Sequence, residues 1–105
     1  MNSYKFVTES WVNGTSWYRI WSDKWIEQGG QMSLPETSST AVTLHKTMAN
    51  TNYYCSAIQT NVSTVGDTEM GIGCSPTSAS QINIFCHYIN PNTATVRWEV
   101  KGFMA

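Results

Sequence analysis

Charge is scarce in this sequence. Only 12% of its 105 residues are charged, and six basic against seven acidic side chains leave a formal net charge of −1. This share is about half of that in an average globular protein. Proteins that bind nucleic acid neutralise phosphates with clustered Lys and Arg, and the sequence has no such run. The balance of charge therefore excludes an electrostatic nucleic-acid binder.

Long apolar runs are also missing. No stretch approaches the ~20 residues that span a bilayer, so we expect no insertion into a membrane. Residues 1–6 lack the apolar core of a signal peptide. Disorder is disfavoured, because 41% of the residues are hydrophobic and 12% are aromatic. A chain this short buries only roughly 60–65% of its unfolded surface when it folds alone, so oligomerisation would add useful burial.

Cysteine is scarce, and its number is odd. Cys55, Cys74 and Cys86 form no CxxC pair, whereas a disulfide framework needs an even count and a zinc site needs closely spaced ligands. Cys86, His87 and His45 are residue types that bind metal ions, but Cys86 and His87 are adjacent, and adjacent residues of a strand point to opposite faces. We expect buried free thiols in a reducing compartment, with one disulfide and one free thiol as the alternative, and no metal or cofactor.

Catalytic patterns are absent as well. The sequence has no GxSxG, HExxH or Walker-type loop. Asp23 and Glu27 are close in sequence, and paired carboxylates can hydrolyse glycosides, but solvated turn and strand positions explain them better. His45 is expected at the surface, and His87 in a packed position or at an interface. We predict no catalytic residue; a glycan hydrolase or depolymerase fragment that uses Glu27 is the enzymatic alternative.

What the sequence does contain is typical of an all-β protein. Uncharged polar residues are abundant, with 13 Thr, 12 Ser, 8 Asn and 4 Gln. Turn-forming residues recur every 8 to 15 positions between short runs rich in Val, Ile, Tyr, Trp and Thr. These runs predict a single-domain antiparallel β-sandwich or barrel-like fold with strands at residues 16–21, 25–31, 40–44, 53–60, 66–72, 82–89 and 94–103.

The segment 16–30 predicts a β-hairpin. If Asp23 and Lys24 form a two-residue turn, Trp21 faces Ile26, and Lys24 adopts a left-handed conformation at a cost of about 1 kcal/mol. One face then carries Trp17, Arg19, Trp21 and Ile26, and the other carries Tyr18, Ile20, Trp25 and Glu27. Both faces are largely apolar, although a sheet exposed to solvent is apolar on one side only. The second face is covered by a loop or the N-terminal segment, forms a subunit interface, or presents Trp side chains to a ligand.

Three blocks of the sequence resemble one family. Residues 16–30 (SWYRIWSDKWIEQGG) are similar to the repeated WYR–x–[YW]–S–D–G–W–x–E–Q–G–G segment near the C-terminus of bacteriophage tail-fibre proteins. Residues 41–53 (AVTLHKTMANTNY) resemble that family's VTLPKPFADTNY stretch, and residues 96–105 (VRWEVKGFMA) resemble its closing WEAKGYIA. The blocks follow the family's order. Lys24 replaces the usual turn Gly, and His45 stands where Pro is common.

This resemblance implies a trimeric fibre tip that belongs to the virion after synthesis in the host cytoplasm. It implies adsorption to a bacterial surface polysaccharide or outer-membrane protein, without a reaction or a cofactor. We place an N-terminal stalk or linker at residues 1–10 and the tip domain at residues 11–105. The candidates for the trimer interface or for packing are Trp17, Trp21, Trp25, Ile26 and Phe103.

Receptor contacts are expected in loops, which carry recognition more often than strands do. The candidates, from three loop segments, are Ser75, Thr77, Ser78, Asn90, Asn92 and Asn61. Side chains of Ser, Thr, Asn and Tyr offer adaptable hydrogen bonds to a sugar, and an exposed Trp or Tyr can stack on its apolar face. Two other functions stay open: a secreted monomeric carbohydrate-binding module or adhesin, and a domain that only trimerises the fibre.

Overall fold

A computed structural model describes residues 4–35, 37–61, 71–87 and 93–105. Within these ranges the chain forms eight strands: β1 (Val7–Asn13), β2 (Ser16–Trp21), β3 (Trp25–Pro35), β4 (Ser38–Thr43), β5 (Tyr54–Gln59), β6 (Gly71–Pro76), β7 (Gln81–His87) and β8 (Thr93–Phe103). Nothing in the described ranges is a helix long and apolar enough to cross a membrane.

Two antiparallel sheets make up the architecture. Five strands form one sheet in the order β1-β2-β3-β8-β5, and three strands form the other in the order β4-β7-β6. The longest pairing joins β3 to β8 over eleven residues of each strand. The predicted all-β, antiparallel two-layer fold is therefore confirmed.

The hydrophobic core lies between the two sheets. Alternate residues of β8 and β7 are buried there, which is the period-two pattern of strands with one covered face. The five-stranded sheet contributes Ile20, Ile26, Leu34, Ala94, Val96, Trp98 and Val100, and the three-stranded sheet contributes Ile82, Ile84 and Cys86. The period-two pattern thus gives the five-stranded sheet an inner face, which the core covers, and an outer face.

Two polar side chains tie loops to this core. Gln28 is fully buried, and its Oε1 accepts hydrogen bonds from the backbone N–H groups of His45 (2.8 Å) and Lys46 (3.1 Å), while its Nε2 donates to the Lys46 carbonyl (3.0 Å). Tyr53 donates its hydroxyl to the carbonyls of Ser78 (2.8 Å) and Gln81 (2.9 Å). Each side chain supplies the backbone partners that a covered loop would otherwise lack.

The predicted strands match the described ones in most of their length. β2 has the predicted bounds, and the strands predicted at 40–44, 53–60, 82–89 and 94–103 overlap β4, β5, β7 and β8. Most of the strand predicted at 66–72 lies outside the described residues. β1 was not predicted, and it runs without a break across the boundary that we placed at residue 10. All seven residues of β1 are exposed, so it lacks the alternating burial that reveals a strand in a sequence.

The predicted hairpin register is wrong by one residue. β2 pairs with β3 so that Ile20 faces Ile26 and Trp17 faces Gly29. The turn holds three residues instead of two: Lys24 donates its N–H to the Trp21 carbonyl (2.9 Å) and adopts the expected left-handed conformation, with φ 72°. A one-residue shift exchanges the two faces of a strand.

Trp25 and Ile26 therefore lie on the faces opposite to those predicted. Ile26 is fully buried in the core of its own chain. Trp25 joins Trp17 and Trp21 on the outer face of the five-stranded sheet, because paired residues of an antiparallel ladder share a face.

All three cysteines are free, with Cys86 buried and the other two partly buried. The Cys86 thiol donates to the Pro35 carbonyl (3.0 Å). A side-chain hydrogen bond with Cys55 is among the causes that raise the pKa of the Cys74 thiol. No group of three or more metal-ligating side chains occurs in the described ranges.

Candidate ligand groove and aromatic face

The outer face of the five-stranded sheet, here called the open face, carries most of the exposed apolar side chains. Val12, Tyr54, Ile58 and Phe103 are between 52% and 75% exposed. All four occupy strand positions on the outer side of this sheet. Ion pairs lie among them, between Arg19 and Glu27 (3.7 Å) and between Lys101 and Glu99 (2.9 Å). The open face is thus a mixed apolar and charged surface.

Two adjacent glycines let tryptophans approach both sides of β3. A Cβ atom on Gly29 would lie 2.7 Å from Nε1 of Trp17 and 2.6 Å from the backbone oxygen of Trp98. A Cβ atom on Gly30, which points to the opposite face, would lie 3.0 Å from the Trp98 ring. The absence of side chains at both positions therefore brings the Trp17 indole onto the open face of β3 and the Trp98 indole against its core side.

A groove of about 450 Å³ opens beside Trp17 on the open face. It extends from the turn between β1 and β2, across β3, to β8 and β5. Its lining includes Thr15, Trp17, Ser56, Ile58, Arg97 and Glu99. This volume lies within the range of small-ligand sites, which combine apolar walls with a few polar groups.

The charges in the groove are unequally compensated. Glu99 is paired with Lys101, and this hydrogen bond raises the pKa of the Lys101 ammonium above its usual value. Arg97 donates its Nε–H to the side-chain oxygen of Gln31 (3.0 Å). Among the described residues, no carboxylate lies within 4.0 Å of the Arg97 guanidinium. Within the described ranges the groove therefore presents one positive charge that no carboxylate pairs, and the terminal N–H groups of its guanidinium are available there to a ligand.

The other end of the open face is aromatic. Trp25 and Phe103 meet edge to face with ring centroids 5.2 Å apart. The Lys5 ammonium lies 5.3 Å from the ring centre of Trp21 and 5.4 Å from that of Trp25. Trp21 also donates its Nε1–H to Glu27 (3.2 Å). We call Trp21, Trp25 and Phe103 the aromatic end; Lys5 of the N-terminal segment covers part of it.

A second aromatic cluster lies on the inner side of the sheet, beyond the main core. Trp11 stacks on Tyr18 at 5.5 Å and meets His45 edge to face at 5.3 Å. Nε2 of His45 is hydrogen-bonded to the Gly29 carbonyl (2.8 Å). Glu9 accepts a hydrogen bond from the Tyr18 hydroxyl, which raises the pKa of Tyr18. These groups satisfy one another, so the cluster fastens the exposed strand β1 to the loop at His45.

Solved structures of similar fold are fibre proteins. A C-terminal fragment of the P. aeruginosa R2 pyocin fibre matches with a TM-score of 0.70 and 21% identity, over 95% of this chain and 26% of that one. An N-truncated R2-type pyocin tail fibre matches with a TM-score of 0.70 and 21% identity, over 97% of this chain and 39% of that one. A C-terminal fragment of the P. aeruginosa R1 pyocin fibre matches with a TM-score of 0.59 and 10% identity, over 96% of this chain and 28% of that one.

The chain folds like a segment of a pyocin fibre. It spans between about a quarter and two-fifths of the length of these fibre chains. At 21% identity or less, the likeness establishes the fold alone. No protein-family model and no curated protein was found to match the sequence.

The predicted receptor residues that lie in the described ranges occupy separate places. Asn61 lies beside the start of β8, where its amide bonds the Thr93 carbonyl (2.8 Å) and the Thr95 N–H (3.1 Å). The turn that contains Thr77 and Ser78 is bound by Tyr53, which packs against Gly102 near the end of β8. About seven strand residues separate these places, or roughly 23 Å.

Hydrogen bonds also occupy several of these candidates. Thr77 donates its hydroxyl to the Gln81 carbonyl (3.0 Å), and the Ser78 hydroxyl accepts from the Ser80 N–H (3.1 Å). Ser75 lies in β6 opposite Asn83, instead of in a loop. Asn90 and Asn92 lie outside the described residues.

The groove residues Arg97, Glu99 and Ile58 were not predicted as a site. Arg97 and Glu99 belong to an outward-facing row of alternating charge that the sequence does show. The signal for a site was the Gly29-Gly30 pair, because glycine inside a strand marks a close approach of another group. That signal does not identify which group approaches.

Proposed function

We propose that the chain is a tail-fibre domain of a phage or phage-tail-like particle, and that three copies assemble through the aromatic end of the open face and adsorb to a bacterial surface component. The observation that carries the proposal is the open face itself. At and beside its aromatic end, Phe103 is 52% exposed and Tyr54 is 75% exposed in a single chain. Exposed apolar side chains gathered on one side of a sheet are a mark of interaction sites.

The shape of the chain supports a place in a fibre. It measures 53 × 25 × 23 Å, and its radius of gyration of 15.3 Å exceeds the roughly 13 Å of a compact domain of this length. Three elongated chains can align side by side around one axis, with the same face of each turned inwards. The likeness in fold to pyocin fibres and the three blocks that resemble phage tail fibres support the same assignment.

The ion pairs made by acidic residues of the hairpin and of β8 support a binding function without catalysis. Glu27 is paired with Arg19, Glu99 with Lys101, and Asp23 with Lys5 (3.5 Å). A glycoside hydrolase turns two carboxyl groups towards the scissile bond, whereas each of these carboxylates lies against a cation of its own chain. This pairing favours the adsorption module over the hydrolase.

Sedimentation equilibrium tests the assembly. A chain of 11.8 kDa should sediment as a trimer of about 35 kDa (3 × 11.8) at micromolar concentration. Phe103→Ser should shift the distribution towards monomer. Phe85→Ser is the matched control, because Phe85 is 42% exposed in β7 of the other sheet. A wild-type chain that stays monomeric would contradict the proposed assembly and favour the secreted monomeric module.

Adsorption of the labelled domain to a panel of bacterial strains tests recognition. We expect saturable binding to a subset of strains. Periodate treatment of the cells should remove binding to a polysaccharide, and protease treatment should remove binding to an outer-membrane protein. A trimer that binds none of the strains would support the alternative of a domain that only trimerises the fibre.

A further inference from the structure

We infer that the groove beside Trp17 binds a saccharide that carries a carboxylate. The inference deepens the proposed function and rests on it, since it specifies the chemistry of the surface component. It starts from two features of one depression of the open face: the indole of Trp17, and the guanidinium of Arg97, which no carboxylate of the described residues pairs.

The wall of the groove suits a sugar ring. A pyranose has one face composed mainly of C–H groups, and this face packs against an indole as an apolar surface. Because Gly29 has no side chain, the indole of Trp17 rests on the backbone of β3. The indole is thereby held in one orientation, and a bound ring loses less affinity to the ordering of the site. Ser56 and Thr15, which carry hydroxyl groups, also line the groove.

The charge of the groove selects the kind of sugar. The terminal N–H groups of Arg97 present a planar fork that matches the two oxygens of a carboxylate. Its Nε bond to Gln31 holds the guanidinium beside the groove without neutralising it. Glu99 lines the same groove, and its charge opposes a phosphate dianion more strongly than a monoanion. Charge complementarity therefore favours a carboxylated sugar over a phosphorylated or neutral one.

The site leaves room for assembly through the aromatic end. Trp25 pairs with Phe103, and Gly29 pairs with Glu99, in the same ladder. Four residues of extended strand separate these two pairs, which corresponds to roughly 13 Å. Three copies can therefore meet at the aromatic end while the groove stays accessible.

Titration of the full chain with matched monosaccharides tests the inference. Galacturonic acid and galactose differ only in the carboxylate at C6, and galactose 6-phosphate supplies the phosphate arm; glucuronic acid and N-acetylneuraminic acid extend the acidic set. Saturation-transfer NMR and the indole Nε1–H resonance of Trp17, assigned by its loss in Trp17→Phe, report binding. We expect at least one acidic sugar to bind at least tenfold more tightly than galactose.

The variants identify the groups that bind. Arg97→Gln should weaken the acidic sugar at least tenfold, and Arg97→Lys should weaken it severalfold by removing the fork. Arg19→Gln should change little, because Arg19 lies on the same face, is paired with Glu27 and does not line the groove. Thermal unfolding checks that each variant is folded.

Each other result overturns the inference. The inference fails if galactose binds as tightly as the acidic sugars, or if only the phosphate sugar binds. It also fails if Arg97→Gln binds the acidic sugar as tightly as the wild type, or if no acidic sugar binds. If Arg97→Gln still forms trimers and adsorbs to cells with wild-type affinity, the groove inference fails while the proposed function stands. If the chain stays monomeric and fails to adsorb to cells but binds the acidic sugar, the proposed function fails while the sugar site in the groove stands.

Discussion

Gln28 shows how a single buried amide fixes a loop in this fold. Its oxygen accepts two backbone N–H groups, and its nitrogen donates to a carbonyl of the same loop and lies 3.3 Å from the Met48 sulfur. Loss of the amide would leave those buried backbone groups without partners, and each such group costs about 1–3 kcal/mol. The Gln of the Glu27-Gln28-Gly29-Gly30 segment is thus a structural residue whose neighbours build the groove.

Replacement of Gln28 by Met, which is similar in length and apolar, should lower the free energy of unfolding by about 3 kcal/mol. Gln81→Met is the matched control, because Gln81 is exposed on β7, and its change should stay within about 0.5 kcal/mol. Urea denaturation followed by tryptophan fluorescence measures both values. Equal stabilities of the two variants would show that the loop at His45 does not depend on this amide.

The partly buried thiol of Cys74, next to Cys55, makes the free energy of unfolding depend on pH in the alkaline range. Burial, followed by the hydrogen bond and charge of Cys55, raises the pKa of the Cys74 thiol from 9.0 to about 12. Burial also raises the pKa of Tyr53. In the unfolded chain these groups lose their protons at lower pH than in the folded chain. Their contribution is therefore complete below pH 9 and is lost as the pH rises towards 12.

We predict that the free energy of unfolding falls between pH 9 and pH 11, and that Cys74→Ala reduces the slope of this fall. Denaturation at fixed ionic strength across pH 7–11 measures it. Comparison of wild type with Cys74→Ala removes the contribution of the lysines, which titrate in both proteins. Parallel pH profiles for the two proteins would contradict the assigned pKa.

At the scale of elements, β3 is the strand on which the open face depends. Its two glycines accept an indole on each side, so the strand has room for aromatic groups but none for a Cβ atom. The hairpin turn sets its register: one extra residue in the turn brings Trp25 to the open face and Ile26 to the core.

Gly29→Ala should destabilise the protein by about 2–3 kcal/mol, because the Cβ atom would meet the Trp17 ring and the rigid backbone oxygen of Trp98. Gly73→Ala in β6 is the control, because a Cβ atom there has no neighbour within 4 Å. This control should be neutral or stabilising by about 0.5 kcal/mol. Chemical denaturation compares the two variants, and a Gly29→Ala protein as stable as Gly73→Ala would refute the close packing on β3.

Strand positions were predictable because alternation of apolar side chains is local. The residues from Ala94 to Val100 show it plainly. The register of β3 was not predictable, since a turn of two or three residues fits the same letters around Lys24. The groove depends on the order β2-β3-β8, which places Trp17 near Arg97, 80 positions further along the chain. Contacts of this range leave no local pattern in a single sequence.

On the scale of the whole molecule, the two faces of the five-stranded sheet have different roles. The inner face forms the core with the three-stranded sheet, and this core defines the fold of one chain. The open face carries Trp17, Trp25 and Phe103, which contribute little to that core. If three chains assemble through this face, part of the stability of each chain comes from its partners, as is common where a small domain buries limited surface alone.

Stability shared among three chains depends on protein concentration. For a trimer that unfolds to three separate chains, a hundredfold rise in concentration adds two-thirds of about 2.7 kcal/mol per chain, or roughly 1.8 kcal/mol. For a chain of this length, the melting temperature should then rise by roughly 8 °C. Calorimetry at low and high micromolar concentration measures the shift under reversible conditions. Phe103→Ser should reduce the concentration dependence, while Phe85→Ser should preserve it. A wild-type melting temperature that does not change with concentration would mean that the open face contributes nothing to stability through other copies, and the aromatic end would then need a different occupant.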